Sequence, residues 1–317
     1  MENKNIVCIG GGIGTSNLIR GIKEYSDRIT AIISVADNGG SAGRLRRLYN
    51  MHPPGDVVSC LAALADNEKV AQLLTYRMPG DRYGKDDVLP GHKVGNIMLA
   101  ATNQITGDFD QGIEYLKQVF SIKGNVFPAT NTLVDLVATT VEGLTIEGEE
   151  TIDLGDYSGQ RVLSEIKIKP EDPDVNSQVL QTISSADVII AGPGDLYTAV
   201  LPVLIVPKIR KAITDSRAYK IFVINIANKP FETRGYKLQD FINAVSKHLG
   251  SFPFNKVLCN DNYKFPIPTK LHYSYVKYEK NLKSQSGIEF MSGDLVDASF
   301  PIYHDKHKLA KLIAENI

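Results

Sequence analysis

The sequence predicts an α/β protein with a Rossmann-like, mostly parallel and doubly wound sheet. Two observations carry this prediction. Short apolar stretches rich in β-branched residues alternate with segments of helical periodicity over most of the chain, and several of the apolar stretches end in a glycine-rich turn. Between residues 125 and 169 the pattern changes to alternating β-formers, which predicts a small antiparallel β insertion within a single domain covering residues 1–317.

Composition limits the classes of protein to consider. The 317 residues are 43% hydrophobic with a net charge of −1, so the chain can bury a large core and lacks the charge excess of bulk nucleic-acid or anionic-membrane binders. The three cysteines lie far apart, which argues against a disulfide framework or a zinc site. No apolar run reaches the roughly 18 residues of a membrane span, and no signal sequence fits before the first strand. We therefore expect a cytoplasmic protein without a nucleic-acid partner.

The first strand, Ile6–Ile9, leads into the most informative stretch of the chain. It is followed by glycines and then by side chains predicted to cap a helix, namely Gly10, Gly11, Gly12, Gly14, Thr15, Ser16 and Asn17. A strand, a glycine turn and a helix start in this order favour an anion site, because backbone N–H groups can approach the ligand there. A tight turn without a ligand is the alternative.

Two standard phosphate loops do not fit this stretch. The dinucleotide pattern would need glycine at Thr15 or at Asn17, and the Walker A loop would need a lysine that is absent between Asn5 and Arg20. A nicotinamide-dependent oxidoreductase is accordingly a weak alternative.

The second strand, Ile29–Val35, ends in a similar loop. Its candidate ligand-binding residues are Asp37, Asn38, Gly39, Gly40, Ser41 and Arg44. Asp37 could accept hydrogen bonds from a ribose hydroxyl or hold a divalent cation beside phosphates. A solvated turn is the third interpretation.

Two further loops carry polar side chains at predicted helix starts. Asp56 follows Pro53-Pro54-Gly55, where an N-cap and a functional carboxylate are equally compatible with the sequence. His92, Lys93 and Asn96 precede a predicted helix over Ile97–Ile105, although a histidine beside Pro-Gly is often only a turn residue.

The opening pattern recurs later in the chain. The apolar strand Asp187–Ala191 runs into a second glycine turn, which predicts a ligand held from both sides of a crevice. A helix over Leu201–Ile213 should break at Pro207, and Leu271–Val276 is the last predicted strand. The candidate binding residues of this half are Gly192, Gly194, Asp195, Leu196, Tyr197, Thr198, Asn225, Glu232 and Thr233.

Taken in order, these loops resemble one known family. The segments Gly10–Ser16, Val35–Arg44, Pro53–Asp56, Gly91–Asn96, Gly192–Thr198 and Glu232–Tyr236 are similar to the motifs of the YvcK-type gluconeogenesis factors. Those proteins share the CofD-like superfamily with the 2-phospho-L-lactate transferases of deazaflavin-coenzyme synthesis.

The resemblance implies two functions, one for each branch. Resemblance to the gluconeogenesis factors implies binding of UDP-sugars such as UDP-N-acetylglucosamine and a role in the control of cell shape, the envelope and carbon metabolism. The transferase branch implies that Asp37 and Asp56 serve a metal-dependent transfer, with Mg²⁺ as the expected ion and a phosphorylated small molecule as the substrate. The loop sequences are closer to those of the gluconeogenesis factors.

The chain departs from the family pattern at three points. Asn38 replaces an aspartate, which removes one metal-binding charge, and Lys93 introduces a cation where it can meet a diphosphate. Tyr303 stands where related chains carry a basic residue. The sequence leaves turnover and the oligomeric state open, a homodimer included, and a scaffold without a ligand is the remaining alternative.

Overall fold

The computed structural model describes residues 1, 3–81, 89–160, 162–278 and 287–317. Its strands are β1 Ile6–Gly10, β2 Ile29–Ile33, β3 Asn125–Pro128, β4 Asp135–Thr140, β5 Thr145–Glu147, β6 Leu163–Lys169, β7 Val188–Ala191, β8 Tyr219–Val223, β9 Ala227–Asn228, β10 Lys256–Asn260, β11 Ser274–Tyr275 and β12 Glu289–Gly293. Its helices are α1 Gly12–Ile22, α2 Gly40–Tyr49, α3 Gly55–Leu64, α4 Glu68–Thr75, α5 Val94–Thr106, α6 Phe109–Phe120, α7 Glu149–Leu154, α8 Ser177–Ser184, α9 Leu201–Leu204, α10 Pro207–Asp215, α11 Leu238–Leu249 and α12 Lys306–Ala314.

Seven strands form the central sheet in the order β12-β10-β8-β7-β1-β2-β3, and all the pairings between them are parallel. The chain order runs in opposite directions on the two sides of the β1–β7 pair. This pair is therefore the point at which ligands bind in open α/β sheets, outside the carboxyl ends of the strands. The predicted fold class is confirmed.

Both faces of the sheet are covered by apolar packing. In β1, Val7 and Ile9 belong to one core cluster, whereas Ile6 and Cys8 belong to the other. Side chains of a strand point alternately to the two faces, so a strand buried on both sides needs an uninterrupted apolar run. The run Ile6–Ile9 has this composition because helices lie on both faces of the sheet.

A second sheet of three antiparallel strands, β5-β4-β6, lies within the predicted β insertion. Two details of that prediction are wrong. β3 pairs with β2 in the central sheet, and residues 149–154 fold as helix α7. The alternation of β-formers ends at Glu147. Gly148 follows with a φ of +93°, a backbone conformation that favours glycine, and the chain changes direction there.

Some predicted helix and strand limits are also corrected. α1 begins at Gly12 and not at the residues Thr15–Asn17, because Gly11 takes the N-cap position. The break at Pro207 is confirmed, since α9 ends at Leu204 and α10 begins with this proline. The predicted last strand, Leu271–Val276, contains only the two residues of β11, and β12 follows it in the chain.

Candidate functional site

A cavity of about 530 Å³ lies where β1 and β7 end. The segments that follow these two strands form its floor, and α7 of the small sheet lies at its rim. Its lining contains the following predicted site residues: Gly11, Gly12, Gly14, Asp37, Gly39, Gly40, Ser41, Asp56, Lys93, Asn96, Gly194, Asp195, Thr198 and Asn225. Residues from both halves of the chain therefore meet at one site.

The two glycine loops touch each other directly. Thr15 Oγ1 donates a hydrogen bond to the carbonyl oxygen of Pro193 at 3.3 Å. A Cβ atom on Gly14 would lie 2.7 Å from the carbonyl carbon of Pro193 and 3.1 Å from the nitrogen of Gly194. Both neighbours are backbone atoms, so only glycine allows this approach.

Four helices begin at the cavity. Gly12, Gly40 and Gly55 start α1, α2 and α3 and line the cavity, as does Lys93, the N-cap residue of α5. The first turn of a helix leaves N–H groups without an intrahelical partner, and its dipole places about half a positive charge at that end. Several such ends around one space favour an anionic ligand with more than one charged group.

Carboxylates of the chain occupy two of these helix ends. Asp56 Oδ2 accepts the N–H of Gly12 at 2.6 Å, and Glu150 Oε1 accepts the N–H of Gly40 at 2.9 Å. Asp56 therefore caps α1 and does not cap its own helix, whose N-cap is Pro54. These contacts show that the helix ends already attract anionic groups of the protein itself.

Two cationic side chains line the α2–α5 side of the cavity. Lys93 Nζ donates to Ser59 Oγ at 2.7 Å, and Arg77 donates to Ser41 Oγ at 3.3 Å. Arg77 also donates to the carbonyl oxygen of Gly91. They add fixed positive charge next to the helix starts, so this side is the electropositive wall of the cavity.

Another part of the rim is acidic around one lysine. Glu149, Glu150 and Asp153 of α7 line it together with Asp195 and Lys229. Burial, with the neighbouring carboxylates of Asp37 and Asp153, raises the pKa of Glu149 well above its ordinary value. The sequence indicated no chemistry between residues 125 and 169, yet Glu149, Glu150 and Asp153 of that segment line the cavity.

Aromatic and amide groups close the far end. Asn225 Oδ1 accepts the N–H of Gly194 at 3.3 Å, and Tyr273, Tyr303 and His304 line the same region. Burial raises the pKa of Tyr273 to about 12, so its hydroxyl group is neutral and can donate a hydrogen bond.

The remaining predicted residues lie behind this lining. Asn38 accepts the N–H of Glu150 at 2.9 Å, Arg44 donates to the carbonyl oxygen of Pro90 at 3.0 Å, and Glu232 is only 1% exposed. The full set outside the lining is Gly10, Thr15, Ser16, Asn38, Arg44, His92, Gly192, Leu196, Tyr197, Glu232 and Thr233. Their contacts shape the loops that carry the lining.

Several lining residues were not predicted. The charged and aromatic ones include Arg77, Glu149, Glu150, Asp153, Lys229, Tyr273 and His304. The spacing of Glu149 and Asp153, four residues apart, was the available signal, because such residues share one face of a helix. Lys229 lies in the loop between Asn225 and Glu232, two residues that were predicted.

His304 makes the stability of the protein depend on pH. Burial lowers its pKa from 6.5 to about 3, so the folded protein keeps this imidazole neutral while the unfolded chain protonates it. Its contribution to stability is complete above pH 6.5 and is lost as the pH falls toward 3, by at most about 1.4 kcal/mol per pH unit. We expect His304→Asn to flatten the fall in urea midpoint between pH 6.5 and 4.

The control for this prediction is His307→Asn, because His307 is exposed. This variant should keep the slope of the unaltered protein. His52, whose pKa burial lowers to about 4, contributes a slope of the same sign and remains in both variants. Equal slopes for His304→Asn and the unaltered protein would contradict the prediction.

Comparisons with known proteins agree with this architecture. Residues 6–296 match the family model described as 2-phospho-L-lactate transferase CofD. The gluconeogenesis factor of Bacillus subtilis strain 168 is 36% identical over 322 residues, which cover 99% of this chain and 98% of that protein. A relative from Deinococcus radiodurans is 37% identical over 255 residues, and the match covers 80% of this chain but 53% of the relative.

A solved structure shows the same fold. The crystal structure of a Bacillus halodurans protein superimposes with a TM-score of 0.88 at 33% sequence identity, covering 98% of this chain and 99% of that one. In the part of the chain that the structure describes, none of the helices has both the length and the apolar composition needed to cross a membrane.

Proposed function

The chain belongs to the CofD family, whose gluconeogenesis factors it resembles over almost its full length, and from this premise we propose that it binds a nucleotide sugar of the UDP-N-acetylglucosamine type. The ligand occupies the cavity at the ends of β1 and β7. Binding serves the control of carbon metabolism, cell shape and envelope synthesis rather than turnover of the sugar.

The convergence of four helix starts on the cavity carries this proposal. A diphosphate has two adjacent charged groups, and the four helix starts, with Arg77 and Lys93 nearby, supply positive potential over a comparable space, even though Asp56 and Glu150 accept the first N–H groups of α1 and α2. The volume of about 530 Å³ lies within the range of small-molecule sites. Lining glycines let the ligand approach the backbone closely.

The far end of the cavity suits the uncharged parts of the ligand. Tyr273 and Tyr303 offer aromatic faces and hydroxyl groups, and Asn225 offers an amide. A base or a sugar needs this combination of stacking surface and hydrogen-bonding groups. We assign the diphosphate to the glycine loops and the uncharged groups to the Tyr273 end.

A divalent cation fits this arrangement as a companion of the diphosphate. Asp37 and Asp56 supply two carboxylates to the cavity, and Mg²⁺ is commonly bound by one or two carboxylates together with phosphate oxygens. The ion would neutralise phosphate charge beside these two aspartates. The same pair is the first candidate for a metal site in the transferase alternative.

Calorimetric titration with UDP-N-acetylglucosamine, with and without Mg²⁺, tests the proposal. We expect saturable binding that Gly12→Val abolishes. Gly12 has a φ of +66°, and no atom of the described residues lies within 4 Å of a Cβ at this position, so the valine side chain would project into the ligand space. Mass spectrometry after incubation should recover the nucleotide sugar unchanged, whereas its consumption would favour the transferase alternative.

The matched control is Gly107→Val. Gly107 has a φ of +72° and equally open surroundings, but it does not line the cavity. It should be destabilised to a similar degree and still bind. The absence of heat with any nucleotide sugar, with or without Mg²⁺, would reject the proposal.

A further inference from the structure

Three carboxylates from three segments of the chain meet at one buried ammonium group. Lys229 is 8% exposed, and its Nζ contacts Asp153 of α7, Asp195 of the second glycine loop at 2.8 Å and Glu232 at 3.1 Å. These segments are distant in sequence. The lysine therefore joins all three of them at the acidic rim of the cavity.

The three carboxylates lie close enough together to surround a single cation. One carboxylate oxygen from each of Asp153, Asp195 and Glu232 lies within 4.8 Å of the other two. Oxygen ligands of Ca²⁺ lie 2.3–2.6 Å from the ion, so three of them span a comparable distance. The ammonium group of Lys229 takes the place that such an ion would fill.

Glu232 is held as an acceptor at the base of the cluster. Its Oε1 accepts from Thr198 Oγ1 at 2.7 Å as well as from Lys229, and its Oε2 accepts the N–H of Tyr197 at 3.0 Å. These donors favour the ionised form, although burial raises the pKa of Glu232 to about 7. Removal of the ammonium group would leave three closely spaced carboxylates without a counter-charge, which is most unfavourable for the fully buried Glu232, whereas Asp153 and Asp195 are partly exposed.

We propose that Lys229 is a positioning residue which acts as the resident cation of a three-carboxylate site and thereby holds α7 and the second glycine loop at the rim of the cavity. Asp153 and Asp195 line the cavity, so their placement determines the shape and charge of this rim. Experiments on Lys229 need no nucleotide sugar, so this role can fail independently of the proposed function.

The test is replacement of the lysine and addition of a metal ion. We expect Lys229→Ala to lower the thermal midpoint markedly in the presence of EDTA. Mn²⁺ should restore most of that loss, because an ion can then enter the space left by the side chain. The variant should also bind one more equivalent of Mn²⁺ than the unaltered protein, which electron paramagnetic resonance can count. A merely structural lysine would give no such gain.

Two further variants make the result specific. Lys229→Ala combined with Glu232→Gln should lose the additional Mn²⁺ equivalent, since one ligand is then uncharged. Lys220→Ala should be insensitive to Mn²⁺, because Lys220 is also 8% exposed but donates to the carbonyl oxygen of Thr214 at 3.5 Å. Subtracting the number of Mn²⁺ equivalents bound by the unaltered protein removes any contribution from Asp37 and Asp56.

If Lys229→Ala does not fold in EDTA, its refolding with Mn²⁺ becomes the measurement. In that case Lys229→Ala and Lys229→Met are refolded with Mn²⁺, and only the alanine variant should recover, since methionine fills the space of the ion. The inference is overturned if Mn²⁺ neither restores Lys229→Ala nor binds in an additional equivalent. It is also overturned if the Glu232→Gln combination gains the same equivalent.

Discussion

Gly14→Ala should weaken nucleotide-sugar binding strongly, although it adds a single methyl group. The new Cβ would lie 2.7 Å from the carbonyl carbon of Pro193 and 3.1 Å from the nitrogen of Gly194, so the two glycine loops must move apart. Overpacking of this kind costs about 1–3 kcal/mol. If binding requires the original spacing, a cost near 3 kcal/mol weakens the affinity roughly 100-fold. Calorimetric titration measures the change in Kd.

Gly143→Ala separates this effect from a general loss of stability. Gly143 lies in the turn between β4 and β5 with a φ of +84°, and within the described part of the chain a Cβ there would meet nothing within 4 Å. Alanine in this backbone conformation costs about 1 kcal/mol, which urea unfolding measures. The control variant should bind with unchanged affinity. Unchanged binding by Gly14→Ala would show that the contact between the loops does not set the site.

Arg46→Ala should cause a larger loss of stability than any other arginine replacement tested beside it. The guanidinium of Arg46 is nearly buried and donates to the carbonyl oxygens of Ala36 at 3.3 Å, Asp37 at 3.2 Å and Val134 at 2.8 Å. It also pairs with the carboxylate of Asp135 at 2.7 Å. One side chain thus joins α2, the Asp37 loop and the small sheet.

The expected cost of Arg46→Ala is about 3–5 kcal/mol, because several acceptors lose a charged donor at once. Equilibrium urea unfolding measures it. Arg47→Ala is the matched control in the next position of the same helix. Arg47 is exposed and donates to the carbonyl oxygen of Asn38 at 2.9 Å, so its loss should cost under about 1 kcal/mol. Equal losses for the two variants would contradict the assigned role.

The local sequence pattern was sufficient to predict the buried strands and the helix break at a proline. Ile6–Ile9 and Val188–Ala191 are apolar on both faces, and the composition of a strand in a covered parallel sheet is visible in its own residues. Pro207 breaks a helix for a reason internal to the residue. The start of α1 was misplaced, since three glycines in a row give little indication of where a helix begins.

The same distinction holds for the residues of the site. Glycine loops that follow strands can be recognised from their composition, so most residues on the floor of the cavity were predicted. Glu150 and Asp153 were not, because they belong to α7, whose place beside Gly40 and Lys229 depends on how the small sheet packs against the central one. Asp56 was recognised as a carboxylate of interest, but its bond to Gly12, 44 positions away, follows only from the fold.

The sequence by itself determined the α/β class, the loops that end the strands and the family resemblance, because each depends on residues that are neighbours along the chain. Only the tertiary structure decided which loops share one cavity, which charges face each other there and that Lys229 lies among three carboxylates. Those properties depend on strand order and on packing between distant segments, and no short stretch of residues encodes them locally.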